Sequence, residues 1–101
     1  MILRSWHGWT TPANADRYEQ LLRNEIFAGI RERHIAGFRK IQLLRRRLAD
    51  SVEFVTLMTF DSLDAVRTFA GDDYEVAVVP PQARALLLRF DERSAHYEIL
   101  V

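Results

Sequence analysis

Between Val52 and Ala70 the spacing of apolar residues changes from a strand-like to a helical period. Val52, Phe54, Met58 and Phe60 fall on one side of an extended segment and Val55 and Leu57 on the other. Leu63, Val66 and Phe69 then repeat at helical intervals, after Asp61 or Ser62 as cap and before Gly71 as stop. The same reading along the rest of the chain predicts a strand over residues 2–10, with Gly8 marking a bulge or a close approach. Thr11-Pro12 opens a helix, and Ala15, Tyr18, Leu22 and Ile26 place its main body at about 12–25, with a looser helical piece near 27–34. A second strand is expected over 38–48, joined to the strand at 52–60 by Ala49-Asp50-Ser51 as an antiparallel hairpin. Pro80-Pro81 breaks any long element, leaving room for a short helical turn near 81–85, and residues 94–101 form the last strand.

The order β-α-β-β-α-β is the split βαβ, ferredoxin-like pattern: an α+β fold with a four-stranded antiparallel sheet and helices on one face. Right-handed crossovers put the first and third strands at the centre and the second and fourth at the edges. All of residues 1–101 are expected in this one domain. Two helices cover only one face of such a sheet, yet the strands are apolar on both. The first has Ile2 and Trp6 on one side and Leu3 and Trp9 on the other; the last has Tyr97, Ile99 and Val101 against Leu100. Leaving several such side chains in water forfeits ~1.5–3 kcal/mol each. A two-fold homodimer, sheet against sheet, is the simplest cover, and it is expected to enclose a cavity for a flat, mostly apolar molecule.

Composition narrows the chemistry. The 14 basic and 14 acidic residues cancel, which gives no reason to expect nucleic acid or an anionic membrane as partner. Arg45-Arg46-Arg47 lies on the expected edge strand, where charge discourages edge-to-edge pairing, and lacks interleaved aromatics. The chain has no cysteine, so disulfides, thiolate nucleophiles and thiolate metal sites are excluded. No basic-then-apolar leader precedes the first strand and no apolar run approaches ~18 residues, so a cytoplasmic protein without a membrane span is expected. The three histidines are too far apart to form a recognisable metal motif.

Several segments together carry a resemblance: Ile2-Leu-Arg-Ser-Trp-His-Gly8, Ala15-Asp-Arg-Tyr18, Phe60-Asp-Ser-Leu-Asp-Ala-Val-Arg-Thr-Phe-Ala70, Tyr74-Glu-Val-Ala-Val78 and His96-Tyr-Glu-Ile99. Over nearly its whole length the chain resembles the antibiotic biosynthesis monooxygenase-like proteins of the dimeric α/β-barrel superfamily. The resemblance implies a monooxygenase that needs neither flavin nor metal, in which an electron-rich aromatic substrate anion reduces oxygen directly. The alternative is a non-enzymatic binding or stress-response protein of the same fold, with no open active site. Three departures set the chain apart from haem-degrading relatives: Phe60 stands where a tryptophan is common, the first strand offers Ser5 and His7 rather than asparagine, and the helix at 63–70 has no histidine.

Against that background, Trp6, Met58 and Phe60 are candidate walls of a substrate pocket and Tyr74 a candidate for its mouth. Arg4 shares a face with Trp6 and needs either an acidic partner, with Asp61 and Glu98 the nearest choices, or an anionic ligand. His96, on the last strand beside the first, is the candidate base or donor, with a structural histidine as the alternative. His7 points away from Trp6, and His34 sits in a connection.

Overall fold

A computed structural model describes residues 1–101 and contains the expected elements and one further strand. β1 (Ile2–Thr10) is followed by a helical stretch made of a 3-10 turn (Pro12–Asn14), α1 (Ala15–Leu21), a π-helical turn (Leu22–Ile26) and α2 (Phe27–Glu32). Then come β2 (Phe38–Arg47), β3 (Val52–Phe60), α3 (Leu63–Ala70), a single turn α4 (Pro81–Arg84), β4 (Leu87–Phe90) and β5 (Ala95–Glu98). The sheet is antiparallel, with β1 and β3 at its centre and β2 on one edge.

The strand expected over 94–101 is confined to Ala95–Glu98, and an unexpected strand, β4, precedes it, so the sheet has five strands rather than four. β4 pairs with the Gly8–Thr10 end of β1 and β5 with its Ile2–Ser5 end. Between them Asp91 to Ser94 bulge away opposite Trp6 and His7, held by the Trp6 indole, whose Nε1 donates to the Asp91 carbonyl at 2.6 Å. The four residues of β4 are too short a run to separate from a helical turn by spacing alone. β5 stops at Glu98 because β1 stops at Ile2; only one more bond, Ile99 N–H to the Met1 carbonyl at 3.0 Å, follows.

The helix starts where the sequence says. The Thr11 side chain accepts from the Asn14 amide at 3.1 Å, and Ser62 does the same for Ala65 at 3.3 Å at the head of α3. The expected break near residue 26 does not occur: the helix continues through Gly29 to Glu32.

The β1–β3 register sets the two faces. Ile2, Arg4, Trp6, Gly8 and Thr10 lie opposite Phe60, Met58, Thr56, Phe54 and Val52, and the helices lie over this side. Its core has two parts. Ala15, Tyr18, Leu22, Phe27, Val52, Phe54 and Ala83 pack under α1 and α2, while Ile35, Met58, Phe60, Ala65, Val66 and Phe69 pack under α3. The other face presents Leu3, Ser5, His7 and Trp9 beside Thr59, Leu57, Val55 and Glu53. It carries one ion cluster, in which buried Glu53 accepts from Arg46 and meets His7 Nδ1 at 2.8 Å. The arginine run is thereby divided between two jobs. Arg46 serves Glu53, and Arg45 crosses the helix-side face to Asp16 at 3.1 Å and Glu19 at 2.8 Å.

Candidate functional site

A cleft opens between the sheet and the helices, inside one chain. Its floor is Arg4, Trp6, Ile41, Thr56 and Met58; Tyr18, Leu22, Ile26, Phe27 and Ile30 roof it. Phe69 of α3, Ser94 and the Val78–Pro80 segment complete it, with Ala83. The cavity holds about 60 Å3, or roughly four to six water-sized volumes, and it is open to solvent, so a ring seated there extends into the mouth of the cleft. Leu22 and Ile26 come from the π turn, a local departure often found at functional sites because the extra residue re-aims the side chains around it.

This location differs from the one expected for these residues, between two sheets. Register decides it: Arg4, Trp6 and Met58 all stand on the helix-covered side, so the pocket they line lies under the helices. Two expected walls are elsewhere. Phe60 is 0% exposed, wedged between Phe38 at 5.7 Å and Phe69 at 5.9 Å between ring centroids, and does not reach the cleft. Tyr74 stands behind it, its ring edge-on to His96 at 5.0 Å and its carbonyl taken by Arg4. His7 is on the open face with Glu53, and His34 is exposed at a left-handed turn with φ 50°.

Arg4 is the polar end of the cleft. It is only 4% exposed, and neither Asp61 nor Glu98 pairs with it; Asp61 is held by Arg39 at 2.5 Å instead. No carboxylate lies within ion-pair distance of its guanidinium. The contacts it does make are neutral: Nη1 donates to the Tyr74 carbonyl and to His96 Nε2 at 3.0 Å, Nη2 donates to the Val76 carbonyl at 3.2 Å, and the Phe69 ring lies 5.4 Å from Cζ. Burial pushes its pKa down to about 10, still well above neutrality, so the charge is present and uncompensated.

That contact also fixes the state of His96. Arginine has only donors, so His96 accepts through Nε2 and carries its proton on Nδ1. Burial, and then the neighbouring Arg4 charge, lower its pKa, which keeps it neutral. Its basic nitrogen is occupied, so it holds and orients Arg4 rather than serving as a free base. Two buried polar atoms beside this cluster lack any partner in the chain: His96 Nδ1 and Ser94 Oγ. Burial also raises the pKa of the Tyr18 hydroxyl. Tyr18, Thr56, Phe69 and Ser94 escaped sequence reading. The helical spacing of Tyr18, Leu22 and Ile26 marks a buried face, and a cleft wall has the same pattern as a core.

No family model matches the chain, and no curated protein matches it in sequence. Solved structures do match. A proposed antibiotic biosynthesis monooxygenase from Bacillus cereus superposes with a TM-score of 0.67 at 15% identity, over 97% of this chain and 89% of that one. The chain has the fold of the antibiotic biosynthesis monooxygenase-like proteins. The haem degrader MhuD from Mycobacterium tuberculosis, solved with two haems in its active site, has a TM-score of 0.58 at 16% identity, covering 100% of this chain and 97% of its own. Haem does not fit the residues here. α3 has no histidine, the acceptor nitrogen of His96 is taken by Arg4, and about 60 Å3 admits no tetrapyrrole.

Proposed function

We propose that this protein is a cofactor-independent monooxygenase-like protein that holds a small aromatic or lipophilic substrate in the cleft between sheet and helices. The observation that carries the reading is an apolar cleft ending in one buried, unpaired guanidinium. An electron-rich phenolate can reduce dioxygen without help from a cofactor. A phenol and dioxygen give a quinone and water: one oxygen atom enters the ring, the other leaves as water, and the ring supplies all the electrons. The chain's part is to select the anion, hold its ring against Trp6 and Met58, and keep bulk water away. Arg4 answers the negative charge of the bound substrate, and the neutral His96 fixes the guanidinium in place. No carboxylate or histidine lines the cleft, so the phenol proton goes to solvent on entry.

Oxygen uptake with electron-rich one-ring phenols, against a no-protein control, tests the reaction. Quenching of Trp6 fluorescence tests occupancy. Absence of binding overturns the reading. Binding without uptake leaves a non-enzymatic binding protein of the same fold, a second reading supported by the absence of a base in the cleft.

Homodimerisation through the uncovered sheet face belongs to the same proposal. Leu3, Val55 and Leu57 run along the centre of that face, with exposed Leu44 and Tyr97 further out. Burying them against a second copy recovers part of the ~1.5–3 kcal/mol that full burial of each is worth, since Leu3, Val55 and Leu57 are already half-buried. This interface lies on the opposite side of the sheet from the cleft, so each protomer would carry its own site.

A further inference from the structure

The proposed substrate cleft contains donors that nothing in the chain uses, and their number and placement describe what belongs there. This inference rests on that cleft being a binding site. A guanidinium has five N–H hydrogens. Arg4 spends three: on the Tyr74 carbonyl, on the Val76 carbonyl and on His96 Nε2. Two remain, one on Nε and one on Nη2. Ser94, a buried residue of the same cleft lining, adds a hydroxyl whose oxygen is buried and has no partner. The cleft lining offers no acidic side chain to answer them.

We infer that the cleft binds a small aromatic molecule bearing a carboxylate, with the carboxylate taken by the free Nε–H and Nη2–H of Arg4 and the Ser94 hydroxyl, and the ring lying against Trp6 and Met58. A carboxylate has two coplanar oxygens spaced to meet two arginine N–H groups side by side, and its remaining lone pairs accept a hydroxyl. A neutral amide of the same shape turns an N–H group toward Arg4 in place of an acceptor and brings no negative charge. The charge matters most, because a buried cation without a counter-ion gains from an anion in a low-dielectric site far more than it does in water. The three contacts Arg4 already makes hold the guanidinium in one orientation, so little order is lost when the anion arrives.

Calorimetry and Trp6 fluorescence with benzoate, benzamide and phenol test this on the full chain. Benzoate is expected to bind at least tenfold more tightly than benzamide or phenol. Arg4→Gln should remove that preference while leaving benzamide binding, and Ser94→Ala should reduce it several-fold without changing the fold. Should Arg4→Gln fail to fold, Arg4→Lys keeps the charge but not the fork, and partial loss of the benzoate preference is expected. Equal affinity for benzoate and benzamide, or a preference that survives both Arg4→Gln and Ser94→Ala, overturns the carboxylate assignment while leaving the cleft as a site for neutral rings. If none of the three ligands binds, both the assignment and the cleft as a site for single rings are overturned.

Discussion

Phe60 is the sharpest test of where the cleft ends. It sits at the end of β3, next to pocket-lining Met58 on the same face, and sequence reading makes it a pocket wall. The structure makes it core instead: 0% exposed, flanked by Phe38 and Phe69, and absent from the cleft lining. Phe60→Leu removes about three side-chain carbons at ~0.8 kcal/mol each, so about 2 kcal/mol is lost before any cavity term. For a domain of this size each kcal/mol moves the melting temperature by roughly 4–8 °C, so a fall of roughly 8–16 °C is expected. Alanine would cost about 3–5 kcal/mol, a large share of a typical total of about 5–15, and leucine keeps the variant folded enough to titrate. Thermal and urea unfolding give the stability change, and Trp6 fluorescence at a temperature where both proteins are folded gives ligand affinity. The expected pattern is a large stability loss with affinity unchanged. A loss of affinity beyond about tenfold, or about 1.4 kcal/mol, with a melting temperature near that of the parent would place Phe60 in the site and refute the assignment.

Other expectations follow from single contacts. Gly37 has φ 85° and a Cβ placed there would lie 2.8 Å from the Ala65 Cβ, so Gly37→Ala should lower stability by about 1–2 kcal/mol from the backbone alone, more with the clash, as read by thermal melting. Glu53 is held below the ordinary carboxylate range by its hydrogen bond to His7 and then by Arg46. A depressed folded-state pKa means its stabilisation is fully present above the ordinary value and disappears as pH falls through the folded value, so Glu53→Gln should flatten the acid side of a urea-stability profile. An acid limb unchanged in the variant would remove Glu53 as its source. Leu57→Arg, at the centre of the open sheet face, should convert a dimer to monomer by size-exclusion with light scattering while leaving benzoate binding intact, because the cleft is on the other face.

Much of the architecture was legible in the chain because it is written in local terms. The 63–70 helix, its Ser62 cap and its Gly71 stop are set by residues within a few positions of each other, and so is the hairpin between β2 and β3. The two-sided apolar strands were legible too, since alternation is a property of one strand alone. What escaped was whatever depends on pairing at a distance. β4 exists as a strand because the Thr10 end of β1 is free to bind it, and four residues carry no spacing signal of their own. The position of the cleft depends on which side of β1 the helices choose to cover; alternation put Arg4 and Trp6 together but did not say under what.

The amino-acid sequence by itself determined the β-α-β-β-α-β frame, the points where the helices start and the placement of Arg4 with Trp6 on one strand face, because these follow from periods and caps along the chain. Only the tertiary structure decided that Phe60 is core, that His96 spends its basic nitrogen on Arg4, and that Ser94 joins the polar end of the cleft. The reason is physical: a side chain's burial, its charge partners and its protonation are set by neighbours brought from tens of residues away, and those neighbours are chosen by packing, which no single stretch of sequence contains.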